Sequence, residues 1–284
     1  GPLAHLGGGY GFIAMPIVTL FCEYVQCAVL LLYFCWHKGL HRECWPDDGL
    51  SIRHVTKHRT SQYIRLYMPA AIVGASDWWR VAAIGAIAVT LGDKELAVFN
   101  TSYRVLWLAN IFNGALSGAT GVKLGMALGA GQTQRAKKLC VVSMAVAVTV
   151  SALIGGLVFT FARELGSLFS NDPELIELYH EVRLPLTAMM ITFAMAVFLE
   201  RIPMTMGRTK LVMNAGLLGS WMGQVPGVYL CTRYWRHDGY GMYVGVALGY
   251  GMLDILLLVY ILRTDFQLFA DKAMARSEVK AVTR

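Results

Sequence analysis

Seven long apolar stretches restrict what this chain can fold into. A helix that crosses the hydrocarbon core of a bilayer needs about 20 mostly apolar residues. Only 15% of the 284 residues are charged and 56% are hydrophobic, whereas about a quarter of the residues in a soluble domain are charged. We predict an all-α polytopic membrane bundle. Its helices are expected at 10–36, 64–91, 96–122, 139–162, 184–206, 211–231 and 239–262.

Lysine and arginine are distributed unequally among the segments that join these helices. With the N-terminus outside, the inner segments hold 17 of the 25 basic residues and the outer segments hold 5. Cytoplasmic segments of membrane proteins are enriched in lysine and arginine. This bias predicts a cytoplasmic C-terminus. It also accounts for the net charge of +7 without nucleic acid as a partner.

The sequence contains no pattern typical of an enzyme, a cofactor site or a metal site. The six cysteines form no C-x-x-C pair, which argues against zinc and redox motifs. The segment GVKLGMALGAGQTQRAKK (121–138) is rich in glycine, but it lacks the G-K-[ST] ending of a phosphate-binding loop. Its glycines at Gly125, Gly129 and Gly131 predict close approach between helices instead.

The stretch FSNDPEL (169–175) has the pattern of a helix start. Side chains such as that of Asp172 cap helix N-termini, and proline is favoured at the first helical position, here Pro173. A short surface helix is therefore predicted before the fifth span.

Several motifs, in chain order, resemble those of the multidrug and toxic compound extrusion (MATE) transporters. LGMALGAGQTQRAKK resembles the family's V-R-x-G-N-x-L-G-A-G-N motif, and YMPAAIVGASDWW resembles the seventh-helix pattern P-x-x-x-M-x-x-x-E-W-W of eukaryotic members. GGGYGFIA, FSNDPEL, MTMGRTK and VPGVYL resemble motifs of the sixth helix, the loop after the ninth, the end of the tenth, and the eleventh.

This resemblance implies a division of the chain. Residues 1–36 would contain the last helix of a truncated N-terminal lobe, 37–63 a cytoplasmic loop between lobes, 64–262 a C-terminal six-helix lobe and 263–284 a cytoplasmic tail. It also implies a secondary antiporter without a cofactor. Such a protein exports organic cations, drugs or metabolites across the bilayer in exchange for H⁺ or Na⁺, and it requires the missing N-terminal lobe.

Charged side chains inside the predicted helices are candidates for a functional site. On insertion scales each costs about 2.5–3.5 kcal/mol at the helix centre, so such groups face a cavity or a partner. They are Glu23, Asp77, Arg80, Arg104, Glu200, Arg201 and Asp254.

Asp77 in GASDWWRVA matches the acid of the family's E-W-W motif, which is implicated in proton-coupled exchange. Trp78 or Trp79 offers an aromatic face to a cationic substrate. Arg80 lies three residues after Asp77, on roughly the same helix face. The sequence leaves two interpretations open: a substrate or proton site, or an ion pair of Asp77 with Arg80 or Arg104 that holds two helices together.

The sequence also departs from the family pattern. A second acid often follows the first by five residues, where this chain has Ala82, and Arg104 stands where many animal members have a glutamate. The acid that the family carries in its tenth helix would align near Phe193 or Ala194, neither of which is acidic. Glu200 and Asp254 remain as further candidates. These departures favour a degenerate or lobe-only paralogue as the alternative. A seven-helix receptor is disfavoured, because the last helix lacks N-P-x-x-Y.

Overall fold

A computed structural model describes residues 14–40, 55–271 and 274. The described residues are almost entirely helical and contain no strand, which confirms the predicted all-α fold. The chain divides into two units, Gly1–Arg65 and Leu66–Arg284. Much of the predicted inter-lobe loop and tail, and most of GGGYGFIA, lies outside the described residues.

After residue 57 the helices follow one another with short connections. The first, α1 (Ala14–Leu30), continues as a π-helical segment over Leu31–His37. The others are α2 (Lys57–Leu91), α3 (Asp93–Gly129), α4 (Thr133–Thr160), α5 (Ala162–Phe169), α6 (Pro173–Glu181), α7 (Arg183–Thr205), α8 (Thr209–Leu217), α9 (Val225–Leu230) and α10 (Gly239–Leu262).

Among the described residues, six helical segments are long and apolar enough to cross a membrane: α1 with its π-helical continuation, α2, α3, α4, α7 and α10. The predicted span at 211–231 is also helical, but it is interrupted. Its α-helical parts α8 and α9 alternate with π-helical segments at Leu218–Gln224 and Cys231–Trp235. Pro226 lacks an N–H donor, and several glycines lie nearby, so a regular α-helical ladder is disfavoured here.

Helix α7 lies at the centre of the second unit. It packs against α3, α4 and α10, and its side chains Met189, Phe198 and Ile202 are fully buried. Polar bonds also join the helices: the Asn113 amide donates to the Ser151 hydroxyl at 3.2 Å. A dense core around α7 thus fixes the relative positions of α3, α4 and α10.

Two glycines outside the predicted motifs allow a close contact between helices. A Cβ atom at Gly245 would lie 2.5 Å from the backbone of Val228, and one at Gly249 would lie 2.5 Å from the backbone of Gln224. Small residues allow such contacts between membrane helices. They let α10 lie directly against α9 and the π-helical segment before it.

The prediction of close approach at the 121–138 glycines was wrong for most of them. A Cβ at Gly125 would make only an ordinary contact, 3.5 Å from Thr205, and one at Gly129 would meet nothing within 4 Å. Gly131 has a φ of +70° and forms the turn between α3 and α4, a left-handed conformation that favours glycine. The glycine at position 131 is thus explained chiefly by its backbone conformation.

The surface helix α6 begins as predicted. The Asp172 carboxylate accepts a hydrogen bond of 3.0 Å from the Glu174 backbone N–H, and Pro173 is the first helical residue. At the other end of α6, the buried Tyr179 hydroxyl bonds to the Thr101 hydroxyl of α3. Burial raises the pKa of Tyr179 to about 12. The cap fixes the start of α6, and the bond to Thr101 holds α6 against the bundle.

Candidate functional site

The stretch GASDWWRVA lies inside α2, and its two charges form an ion pair. Arg80 Nη1 lies 3.1 Å from Asp77 Oδ1. The two side chains differ in exposure: that of Arg80 is 4% exposed and that of Asp77 is 53% exposed. The arginine is therefore the buried partner, and the carboxylate reaches the surface of the helix bundle.

Tyr250 of α10 fixes the Arg80 guanidinium. Arg80 Nη2 donates a hydrogen bond of 2.8 Å to the Tyr250 hydroxyl, and the guanidinium carbon lies 5.0 Å from the centre of the Tyr250 ring. A second polar contact joins α2 to the helical segment at Leu218–Gln224, where Trp221 Nε1 donates to the Ser76 hydroxyl at 2.7 Å. Long side chains thus attach α2 to two neighbouring parts of the bundle.

Four aromatic rings from four helices extend from this ion pair. Trp78 of α2 stacks on Trp107 of α3, with ring centres 6.2 Å apart and planes 15° apart. Trp107 meets the edge of Phe193 of α7 at 5.9 Å, and Phe193 meets Tyr250 at 5.2 Å. We call these rings the aromatic cluster. The Trp78 and Trp107 side chains are more than half exposed, so this end of the cluster is open.

Two further acidic side chains are linked to this ion pair, one directly and one through the other. Glu200 of α7 interacts electrostatically with Asp77 and Arg80, and Asp254 of α10 interacts with Glu200. The buried Oδ1 atom of Asp254 has no hydrogen-bond partner among the described residues. Asp77, Arg80, Glu200 and Asp254 thus form one connected group of charged side chains from α2, α7 and α10. We call Asp77, Glu200, Asp254 and Arg80 the acidic cluster.

The other charges predicted inside helices lie elsewhere. Arg104 is exposed on α3, and Asp77 pairs with Arg80 rather than with Arg104. The Asp77–Arg80 pair lies within one helix, so it does not itself hold two helices together as one interpretation proposed; the Arg80–Tyr250 bond makes that link. Arg201 is exposed and packs beside Gly121, so it points away from its neighbour Glu200, as expected for consecutive helical residues.

The roles of three residues in this site could not be predicted from the sequence: Tyr250, Phe193 and Tyr103. Tyr250 and Phe193 lie in apolar stretches where an aromatic residue is unremarkable. Tyr103 of α3 lies buried against Phe99. Its hydroxyl has no hydrogen-bond partner among the described residues, and it interacts electrostatically with Arg80. Helix periodicity does not indicate that the Tyr103 and Tyr250 side chains face the same charged group.

This arrangement is suited to binding small cations. One arginine compensates part of the charge of three carboxylates, which leaves an excess of negative charge when all are ionised. Charged groups inside membrane helices commonly mark ion or substrate sites. Within the described residues, no group of three or more His, Cys, Asp or Glu side chains is arranged to hold a metal ion.

Fold and site together define an integral multi-pass membrane protein of helical-bundle type. The family model described as MatE matches residues 69–230, which is more than half of the chain. The chain therefore belongs to the MatE family.

Two of the similar proteins are named multidrug and toxin extrusion proteins. The chain is 28% identical over 160 residues to Multidrug and toxin extrusion protein 1 of Danio rerio, covering 56% of this chain and 26% of that protein. It is 25% identical over 261 residues to Multidrug and toxin extrusion protein 2 of Mus musculus, covering 91% and 44%. The chain thus spans less than half the length of these relatives.

Solved structures share the fold. The crystal structure of the eukaryotic MATE transporter AtDTX14 has a TM-score of 0.70 at 21% identity and covers 76% of this chain and 49% of that one. At this level of identity the likeness shows the fold alone. It agrees with a helical bundle that corresponds to about half of a MATE transporter.

Proposed function

We propose that this chain is the C-terminal part of a secondary active antiporter that exports organic cations, drugs or metabolites in exchange for H⁺ or Na⁺. The observation that carries this proposal is the acidic cluster inside a membrane bundle of the MatE family, beside aromatic rings that are open at one end. Relatives named multidrug and toxin extrusion proteins support the same direction of transport.

The residue roles in this proposal follow from exposure and contacts. Asp77, with its half-exposed carboxylate, is the acid that alternates between a proton and the substrate cation. Glu200 and Asp254 add two carboxyl groups that can bind a proton or a cation, and Arg80 limits the total negative charge of the cluster so that a bound cation can leave. Trp78, stacked on Trp107, offers an aromatic face to the substrate, since a cation over such a ring is stabilised.

The division into lobes forms part of the proposal. Residues 1–36 would belong to the N-terminal lobe, 37–63 would connect the lobes in the cytoplasm, 64–262 would form the C-terminal lobe, and the tail 263–284 would be cytoplasmic. Alternating access would then arise as one lobe rocks against the other. A tag on the C-terminus that reacts with antibody only after the membrane is permeabilised would support this orientation. Labelling of intact cells would contradict it.

A transport assay tests the proposal directly. The chain as given, and any longer form that its gene encodes, are reconstituted into liposomes loaded with a fluorescent organic cation. Export from the side that corresponds to the cytoplasm is then measured under a pH gradient, a Na⁺ gradient or no gradient. We expect export that one of the two gradients accelerates. The same rate with and without both gradients would contradict antiport.

The second candidate is a degenerate paralogue that does not transport. The Asp77–Arg80 ion pair favours it, since the Asp77 carboxylate already has a structural partner within its own helix. In the liposome assay this candidate predicts no export by a properly folded protein under either gradient. A folded chain that binds the organic cation but does not export it would also support the non-transporting paralogue.

A further inference from the structure

A basic pocket lies where α3 ends and α4 begins. It has a volume of about 370 Å³, and its lining includes Lys123, Met126, Gln132, Arg135 and Leu139. Arg135 Nη1 donates a hydrogen bond of 3.0 Å to Gln132 Oε1, which orients the guanidinium. Two cationic side chains and apolar walls thus share one open pocket. The acidic and aromatic clusters contribute no residue to it.

The pocket lies where both helices change from apolar to charged. Between Arg104 and Lys123, residues 105–122 of α3 carry no charge, a length of about 27 Å at 1.5 Å per residue. This is close to the roughly 30 Å thickness of the hydrocarbon core. On α4 the uncharged stretch begins at Leu139, directly after Lys138. The pocket is therefore placed at the boundary between lipid headgroups and acyl chains.

Apolar side chains near the pocket are exposed on the bundle surface. Val122 and Met126 of α3 are 62% and 66% exposed, and Val141 and Val142 of α4 are 69% and 60% exposed. In a chain that spans a membrane, such side chains contact lipid. The basic pocket thus adjoins a surface that acyl chains cover.

The two ends of α3 carry opposite charge. At its N-terminal end, a second pocket of about 610 Å³ is lined mainly by acids, among them Asp93, Glu95, Glu174 and Glu181. At its C-terminal end, the basic pocket is lined by Lys123 and Arg135 and, among the described residues, by no acidic side chain. An anionic ligand therefore fits the basic end and is repelled from the other. This polarity agrees with the cytoplasmic position predicted for 123–138.

We propose that this pocket binds the headgroup of an anionic phospholipid. The phosphate would lie between Lys123 and Arg135, and the adjoining acyl chain would follow Met126 and Leu139. Basic pockets between membrane helices on the cytoplasmic side are suited to such headgroups, and arginine binds phosphate oxygens through paired N–H donors. The apolar wall distinguishes a lipid from a soluble phosphate. A bound lipid would fix the turn between α3 and α4.

Lipid-dependent thermal stability tests this proposal. The purified chain in a neutral detergent is heated with added phosphatidylglycerol, phosphatidylcholine or inorganic phosphate. We expect phosphatidylglycerol to raise Tm by roughly 2–4 °C above the value in phosphatidylcholine. The double substitution Lys123→Gln/Arg135→Gln should abolish this difference. Lys137→Gln/Lys138→Gln is the matched control, since it removes the same two positive charges beside the turn between α3 and α4 but from outside the pocket, and it should keep the difference.

Three outcomes would overturn the proposal. Equal loss of the lipid effect in both double variants would indicate diffuse surface attraction. An equal Tm increase with inorganic phosphate alone would indicate a soluble anion. No difference between the two lipids in the unaltered chain would indicate no anionic site. If the Lys123/Arg135 variant does not fold, a photoreactive phosphatidylglycerol on the unaltered chain decides the question: labelling within residues 121–139 supports the proposal, and labelling confined to other segments contradicts it.

Discussion

Arg80 donates a hydrogen bond of 2.8 Å to the hydroxyl of Tyr250, although 170 residues separate the two in the sequence. The bond joins the first helix of the bundle in Leu66–Arg284 to its last long helix. It also holds the guanidinium in place beside Asp77, so that the positive charge is built into the site before any cation arrives. Glu200 and Asp254 are the acids of the cluster that lie outside this ion pair.

Replacement of Tyr250 by phenylalanine is predicted to destabilise the bundle. The ring contact to Arg80 is retained, but a hydrogen bond from a charged donor is lost, and such bonds contribute about 1.5–3 kcal/mol. We expect a lower free energy of unfolding, measured in detergent by denaturant titration. Tyr260→Phe is the control, because Tyr260 lies half-buried on the same helix. A loss of similar size in both variants would show that the Arg80 bond contributes nothing specific.

Gly249→Ala is predicted to disrupt the contact between α10 and the helical segment before α9. Its Cβ would overlap the Gln224 side chain and lie 2.5 Å from the Gln224 backbone N, and backbone cannot yield as a flexible side chain can. Overpacking of this kind costs about 1–3 kcal/mol or more. Gly251→Ala, two residues further along, meets nothing within 4 Å and should leave Tm unchanged or slightly raised. The same Tm for both variants would contradict the close approach.

The alkaline stability of the chain is predicted to depend on Tyr179. Burial raises the pKa of its hydroxyl from 10.0 to about 12, so the folded chain keeps this proton longer than the unfolded chain does. The resulting stabilisation is complete below about pH 10 and is lost as the pH rises towards 12, with a size on the order of 2 kcal/mol. Tyr179→Phe should show a shallower fall in unfolding free energy over this range. Parallel curves for both proteins would contradict the prediction.

Trp78→Ala is predicted to weaken binding of an aromatic organic cation more than Trp79→Ala does. Both side chains are exposed, at 67% and 63%, but Trp78 is the one that stacks on Trp107. A cation over a tryptophan gains about 0.5–2 kcal/mol, so we expect the Kd to rise by roughly 2- to 30-fold. Binding is measured by fluorescence anisotropy of the cation. A larger effect at Trp79 would place the substrate on another helix face.

Much of the fold could be predicted from local patterns. Apolar length gave the positions of α2, α3, α4, α7 and α10 because each must match the thickness of a bilayer. The start of α6 could be predicted because an N-cap needs only Asp172 and its immediate neighbours.

The site was only partly predictable, because its geometry depends on contacts between distant segments. Asp77 and Arg80 were recognisable as a pair from their spacing of three residues. Tyr250 was not, since hydrophobic periodicity does not indicate which buried hydroxyl meets which charge. The same limit applies to Gly245 and Gly249. Their close contact depends on Val228 and Gln224, whose helical segment departs from regular α-helix and shifts the expected faces.

In the proposed function, the acidic cluster couples export of a cation to the uptake of H⁺ or Na⁺. The most direct test measures gradient-driven efflux from liposomes by the unaltered protein, Asp77→Asn and Glu23→Gln, at matched amounts of folded protein. Glu23→Gln is the control, because it removes a carboxylate from α1, outside the cluster. We predict that Asp77→Asn loses the acceleration by the gradient while Glu23→Gln retains it. Gradient-driven efflux that is unchanged in Asp77→Asn would contradict this account of the site.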